Sequence, residues 1–269
     1  MQNLESSTQA QSNHLRLRKR CVAFVASTCF SVLSASTCLA QSAVTDSPLQ
    51  WSIGAGAHLQ NQSNADWHGG EVGLYMRKPA APGLNIPTFE ADILAGVANY
   101  SNDNLGDLDS SGLFETRWRA IWSKSMGSGV LGYGLSLQTY YNDLSGTTNI
   151  GQSGYERTSV QLWLPVRWTM NGVSLNTNAP STPLIWDAGA LVWGRHYSKL
   201  SQNNSSLEDV TNRQNWGLFL QLSKDFPAES GSWRPYARWT WLDKTDNSRG
   251  FREPETHRVQ VGVSWSPTR

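Results

Sequence analysis

Cysteine is almost missing from this chain: there are three, Cys21, Cys29 and Cys38, and all fall in the first forty residues. Everything after residue 40 can therefore form neither a disulfide nor a thiolate metal site. Long apolar runs are missing as well. Beyond residue 40 no stretch approaches the ~18 uninterrupted apolar residues that a spanning helix needs. An excess of charge of either sign is also lacking, since the first forty residues hold four of the 22 basic residues and one of the 21 acidic ones. A nucleic-acid partner would leave a basic footprint, so none is expected.

The first forty residues read as a secretory leader. Arg16, Arg18, Lys19 and Arg20 precede a charge-free stretch from Cys21 to Ala40, and Cys38-Leu39-Ala40 places small residues at the cleavage positions before Gln41. Ser27, Thr28, Ser31, Ser34, Ser36 and Thr37 make that stretch too polar for a membrane anchor. Ala35-Ser36-Thr37 lacks the leucine expected before a lipidated cysteine. The expected division is a signal peptide over 1–40 and one domain over 41–269.

That domain is rich in tryptophan. All thirteen tryptophans of the chain lie after the leader, although the mean hydropathy is −0.44. A soluble core would surround such rings with many aliphatic residues. Here they sit towards the ends of patterned segments, as in the aromatic belts at a membrane surface.

The pattern is alternation, which is the signature of strands. Trp51, Ile53, Ala55, Ala57 and Leu59 share one face of the first segment, and Val72, Leu74 and Met76 one face of the second. Phe89 to Val97, Phe114 to Trp122 and Leu131 to Leu137 continue it, and Val160, Leu162, Leu164, Val166 and Trp168 give the clearest instance. A stretch around Leu184–Tyr197 is apolar on both faces and does not reveal its register. Three more follow at Trp216–Leu222, Trp233–Trp241 and Val259–Trp265. The connections 61–70, 99–112, 142–154, 199–213 and 244–255 read as long polar loops, and Lys124–Gly129 and Pro227–Ser232 as short turns. The connections 78–87 and 171–182 are longer than turns require.

Alternation alone fits a soluble sandwich equally well. The leader, the tryptophans and the alternating connection lengths favour a closed antiparallel transmembrane β-barrel of about ten strands, with eight or twelve as the alternatives. Short periplasmic turns, longer extracellular loops and a place in the cell outer membrane are expected. Its surroundings would then be outer-membrane lipid and the barrel assembly machinery; no cofactor and no metal site are expected.

With apolar faces towards lipid, the opposite faces carry Glu71, Arg77, Glu90, Asp92, Glu115, Arg117, Arg119, Arg157, Arg167, Asp187, Arg195, Arg234, Arg238 and Arg258. Arginine stays ionised and presents a planar fork suited to carboxylates. Two readings follow: a polar plug that stiffens the wall, or a narrow passage selecting small anionic solutes. In the second, Arg117, Arg119, Arg157, Arg167 and Arg238, with Glu90, Asp92 and Glu115, form the selectivity element. A third role is adhesion through the loops 99–112 and 199–213.

One motif points to chemistry. His196 and Ser198 stand at i and i+2 on one side of a strand, within reach of each other. The run Arg195-His196-Tyr197-Ser198 resembles the His-x-Ser signature of outer-membrane lipid A deacylases and phospholipases, although Lys199 stands where the deacylases usually have asparagine. That resemblance implies a lipid-facing hydrolase. Asp103, Asp107, Asp109, Asp143, His68 and His257 at segment ends suggest the acid and histidine pairs of the ten-stranded outer-membrane proteases, but no motif of that family accompanies them.

A broader resemblance covers the last eighty-odd residues. Gly194-Arg195-His196-Tyr197, Trp216-Gly-Leu-Phe-Leu-Gln-Leu-Ser-Lys-Asp-Phe226, Trp233-Arg-Pro-Tyr-Ala-Arg-Trp239, Asp246-Asn-Ser248 and His257-Arg-Val-Gln-Val-Gly-Val-Ser-Trp265 are similar to the C-terminal barrels of surface-lipoprotein assembly modifiers and related exporters. The resemblance implies a membrane barrel that serves as the outer-membrane part of an export system. Those relatives carry a periplasmic helical-repeat domain ahead of the barrel, where this chain has Gln41–Gln50.

Overall fold

The computed structural model describes residues 48–81, 85–173, 182–200, 208–245 and 253–267. The expected leader and residues 174–181 of one connection lie outside them. Twelve strand segments follow one another: β1 (Gln50–Gln62), β2 (Ala65–Lys78), β3 (Thr88–Asn102), β4 (Leu108–Met126), β5 (Gly129–Asp143), β6 (Glu156–Val173), β7 (Thr182–Lys199), β8 (Val210–Gln214), β9 (Gly217–Lys224), β10 (Phe226–Ala228), β11 (Gly231–Leu242) and β12 (Thr256–Pro267).

Every pairing is antiparallel between neighbours, and β12 returns to β1, from Ile53 opposite Trp265 to Gln62 opposite Thr256. Closure removes the free edges, so each backbone polar group in the wall finds a partner without water, as a span through lipid requires. Three short segments share one place in the wall. β8 pairs with the loop end of β7, β9 bridges the lower part of β7 to β11, and β10 extends the pairing with β11. The result is a closed ten-stranded barrel, as the sequence favours.

The break between β8 and β9 is closed by a side chain. Gln214 Nε2 donates to the backbone oxygens of Trp216 at 3.0 Å and Asp243 at 2.6 Å, replacing ladder bonds lost at the gap.

One end of the barrel holds Gln50 and Pro267 and the connections Gly127-Ser128 and Glu229-Ser230; it is called the terminal end. Gly127 takes a φ of +56°, a conformation that a side chain would strain. The opposite, loop end carries the connections 103–107 and 144–155. The expected long loop over 61–70 is instead a two-residue turn, Ser63-Asn64, with strands running on past it. Its polar residues mislead because Asp66, His68, Gly69 and Gly70 belong to a strand that stands beyond the apolar band. The connection expected over 99–112 is likewise shorter, since β3 reaches Asn102 and β4 starts at Leu108. Asn149 of the hairpin connection 144–155 ties onto Asp107, whose carbonyl accepts from its N–H at 3.0 Å.

Alternation sorts the two faces as expected along most of the wall. Trp51, Ile53, Leu59, Val72, Phe89, Val97, Leu135, Leu164, Val166, Leu218, Leu220, Val259 and Val261 are exposed on the outside. At the terminal end Trp168 stands directly opposite Trp186, and Trp233 opposite Trp265 with ring centroids 6.4 Å apart. These are girdle positions. Two tryptophans depart from that rule and face inwards: Trp67, among Ala65, Ala98, Leu113, Tyr140 and Leu144, and Trp163, against Leu191, Phe219 and Leu242.

β7 contains the one register change that alters the reading of the sequence. Leu162 lies opposite Trp193 and Trp163 opposite Leu191, which leaves Val192 as an extra residue. A bulge of this kind shifts the alternation by one. Val192 and Trp193 are therefore both exposed, and the faces exchange: Ile185, Asp187 and Leu191 point inwards before the bulge, Gly194, His196 and Ser198 after it. This is why the segment looks apolar on both faces.

Candidate functional site in the barrel lumen

The lumen is filled in three tiers. Nearest the terminal end, Arg167 on β6 makes two parallel bonds to Glu90 on β3, at 2.6 and 2.9 Å, and two to Asp187 on β7, at 2.6 and 3.1 Å. Arg119 on β4 grips both oxygens of Asp92 at 2.9 and 2.8 Å. Its Nε also lies 3.2 Å from Glu90, and that of Arg77 lies 3.7 Å away. Glu90 thus meets three guanidinium groups in a low-dielectric space, where such bonds are at their strongest.

The middle tier crosses the barrel. Arg117 donates to Glu115 beside it on β4, and its Nη2 donates to Gln260 on β12 at 2.7 Å. Gln260 Nε2 donates onward to Glu71 on β2 at 3.0 Å, and Glu71 accepts from Tyr236 at 3.2 Å. Gln138 and Arg258 complete the shell of Glu115, at 2.8 and 3.3 Å. Arg258 also lies 3.9 Å above the ring of Tyr140, a cation–π contact. Gly56 and Gly262 make room here, because a Cβ on either would meet the Tyr236 hydroxyl at 3.0 or 2.7 Å.

The tier at the loop end is closed by a residue that sequence reasoning missed. Glu253, at the foot of the connection 243–255, turns into the lumen. It accepts from Arg157 at 2.8 Å, from Ser198 at 3.1 Å and from Tyr155 at 3.3 Å. Its backbone is pinned to Thr245, whose Oγ1 accepts from the Glu253 N–H at 2.8 Å and whose N–H donates to the Glu253 carbonyl at 2.9 Å. Burial works against ionisation of Glu253, but the guanidinium of Arg157 outweighs it and holds the carboxyl below its usual range. Arg157 reaches across towards β2, 5.6 Å from the Trp67 ring. No period in the sequence marks Glu253, because it stands just outside the last strand.

Arg117, Arg119, Arg157, Arg167, Arg238, Glu90, Asp92 and Glu115 all face the lumen, as the alternation indicates. The paired ones are bonded to one another rather than lining an open ring. Arg195 does not join them: it is exposed on the outer face, because the bulge at Val192 precedes it. Lys224, opposite Leu184 on the outer parity of β9, is 7% exposed and donates to the Thr182 carbonyl at 3.1 Å.

His196 and Ser198 were expected to face lipid, and the structure corrects this. They are 7% and 0% exposed, both inside the barrel. Ser198 donates its hydroxyl proton to Glu253, so its oxygen is not activated by His196 as a nucleophile requires. The acids and histidines of the rim do not converge either. Asp107 binds Ser101 and Asn149, Asp143 caps Ser145, His257 stacks on Trp239 on the outside, and His68 is exposed. Among the described residues no group of three metal-ligating side chains comes together.

Open space remains at the terminal end. A vestibule of about 110 Å³ reaches inwards from Gln50, Ser52, Arg77 and Arg234 to Arg117, Gln221 and Tyr236. Arg234 is occupied by both oxygens of Asp225, at 2.5 and 2.9 Å.

No protein-family model matches the chain, and no curated protein does. Solved structures of similar shape are outer-membrane barrels. The translocator domain of the autotransporter NalP from Neisseria meningitidis is 13% identical, with 89% of this chain and 95% of that one covered and a TM-score of 0.44. The outer-membrane protease OmpT from Escherichia coli is 8% identical, covering 83% and 98%, with a TM-score of 0.44. Neisserial surface protein A is 10% identical, covering 81% and 97%, with a TM-score of 0.38. Likeness at this level concerns shape and carries nothing to the site.

Proposed function

We propose that this protein is an outer-membrane barrel that works closed, as a membrane-embedded scaffold presenting its loop end outside the cell. The observation that carries the reading is the bonded chain from Glu115 through Arg117 and Gln260 to Glu71 and Tyr236, which bars the middle of the lumen. The tier of Glu253 and Arg157 above it and that of Glu90 and Arg167 below support it. The apolar outer band and its tryptophan girdles support the place in the membrane. Planar-bilayer recordings of the purified protein test it: the expected trace is quiet, and regular open steps in the unaltered protein overturn it.

A second reading, a narrow passage for small anions that opens when the ion pairs rearrange, is favoured by the arginine-lined vestibule. Under that reading Arg117→Ala changes the ion selectivity of whatever steps appear. Export of a protein substrate rests on the sequence likeness of the last strands alone. The scaffold reading includes no hydrolytic step, and the bond from Ser198 to Glu253 is what argues against one.

A further inference from the structure

We infer that Arg238, which stands behind Gln221 at the inner end of the vestibule, is the principal ligand of one small inorganic anion. The inference goes beyond the scaffold reading and does not depend on it. Arg238 on β11 is 4% exposed, and among the described residues no carboxylate oxygen lies within 4.0 Å of its guanidinium. It is held instead by neutral groups at long range: Thr240 Oγ1 at 3.3 Å, Gln221 Oε1 at 3.4 Å and the ring of Phe219, 4.1 Å below its Cζ.

The nearby carboxylates are committed elsewhere. Glu115 accepts from Arg117, Arg258 and Gln138, Asp92 from Arg119, Glu90 and Asp187 from Arg167, and Glu71 from Gln260 and Tyr236. A buried charge without a counter-charge is strongly unfavourable, and among the described residues the other buried arginines are paired, so an anion from solution is what Arg238 calls for. A route for it exists. The vestibule reaches Gln221, which lies directly opposite Arg238 in the β9–β11 register, and also Arg117 and Tyr236. On its other side Arg238 lies opposite Gln260, the acceptor of Arg117, in the β11–β12 register. The Arg238 fork and the Gln221 amide nitrogen supply donors suited to a halide or to one tetrahedral oxyanion.

The test uses the full chain in detergent, bromide as the halide probe and inorganic phosphate as the oxyanion probe. Crystals soaked in bromide are expected to show an anomalous peak within hydrogen-bonding distance of the Arg238 guanidinium, and Arg238→Gln is expected to abolish it. In solution, bromide or phosphate at constant ionic strength raises the midpoint of thermal unfolding of the unaltered protein, and apparent affinity falls at least tenfold in Arg238→Gln. Displacement of the bromide peak by phosphate assigns the site to oxyanions, and its persistence assigns it to halides. No peak at Arg238, or a peak and a stabilisation that survive Arg238→Gln, overturns the inference. Arg238→Gln removes a charge that has no carboxylate partner among the described residues, so the variant is expected to fold. Arg238→Lys, which keeps the charge and loses the fork, provides the second variant and is expected to retain weakened binding.

Discussion

Arg167 and Glu90 hold each other across the lumen by two parallel bonds, at 2.6 and 2.9 Å, from strands that are not neighbours in the wall. Both are largely withdrawn from water, with side chains 13% and 8% exposed; Glu90 also has Arg119 at 3.2 Å and Arg77 at 3.7 Å, whereas among the described residues Asp187 has Arg167 alone.

Arg167→Ala is accordingly expected to destabilise the folded barrel by about 3–5 kcal/mol, since it leaves Asp187 without a guanidinium and takes the nearest of three from Glu90. Arg167→Lys recovers only part, because an ammonium cannot span two carboxylates with a planar fork. Urea titrations of the protein in detergent, followed by tryptophan fluorescence, measure both. Equal stability of Arg167→Ala and the unaltered chain would remove the cross-link from the account.

The contact of Glu253 with Arg157 makes stability depend on pH in one direction. The folded carboxyl titrates below its ordinary value of about 4.3, so its contribution is complete above that value. It is lost as acid takes the solution down through the lowered folded value. Glu253→Gln should flatten this acid limb while lowering stability near neutrality, since Arg157 loses its carboxylate. Thermal melts between pH 7 and pH 3 on both proteins decide it. An acid limb of the same steepness in the variant contradicts the assignment.

Ser198→Ala should leave lipid unhydrolysed, as in the unaltered protein, and lower stability by about 1 kcal/mol through loss of one bond to a buried carboxylate. Purified protein incubated with lipid A and with phospholipid, read by mass spectrometry, checks the first part. Release of fatty acid that disappears on Ser198→Ala would restore the hydrolase reading.

The bulge gives the most selective prediction. Deleting Val192 makes Leu191 and Trp193 consecutive, as their partners Trp163 and Leu162 are, so the ladder runs on without the bulge and His196 and Ser198 stay inward with the Ser198–Glu253 bond intact. The deletion is expected to keep the compact, heat-modifiable form on gels. Val192→Ala, which keeps the residue count, should fold with a loss below about 1.5 kcal/mol because the side chain is exposed. Loss of the compact form in the deletion would show that β7 needs the extra residue to keep its faces.

Much of the barrel can be read from period two alone. Strands such as β6, with Val160, Leu162, Leu164 and Val166 outside and Arg157, Ser159 and Gln161 inside, announce both their existence and their faces. What escapes is whatever breaks the period. The bulge at Val192 is one extra residue among apolar ones, so no local contrast marks it, and everything after it in β7 was assigned to the wrong side, including Arg195, His196 and Ser198. The turn Ser63-Asn64 is hidden because β1 and β2 continue past the apolar band in polar residues. Which arginines face the lumen is legible; which carboxylate each takes is not, since Arg117 and Gln260 are brought together only by curvature of the wall. Trp67 and Trp163 are misread for a related reason: composition says that tryptophan belongs in a girdle, and only register tells which rings turn the other way.

The chain from Arg117 to Glu71 runs through Gln260, and Glu115 draws on Arg258, so the last strand supplies two of the groups that satisfy acids placed on β2 and β4. Before β12 docks, those acids and Arg117 have only part of their final shell and must remain hydrated. Sealing the seam and drying the interior are thus a single event, dependent on contacts between residues 143 and 189 positions apart. Such remote pairing is slow to form, and a catalyst that holds the two edges apart until the final hairpin arrives would keep water in the lumen for as long as it is needed.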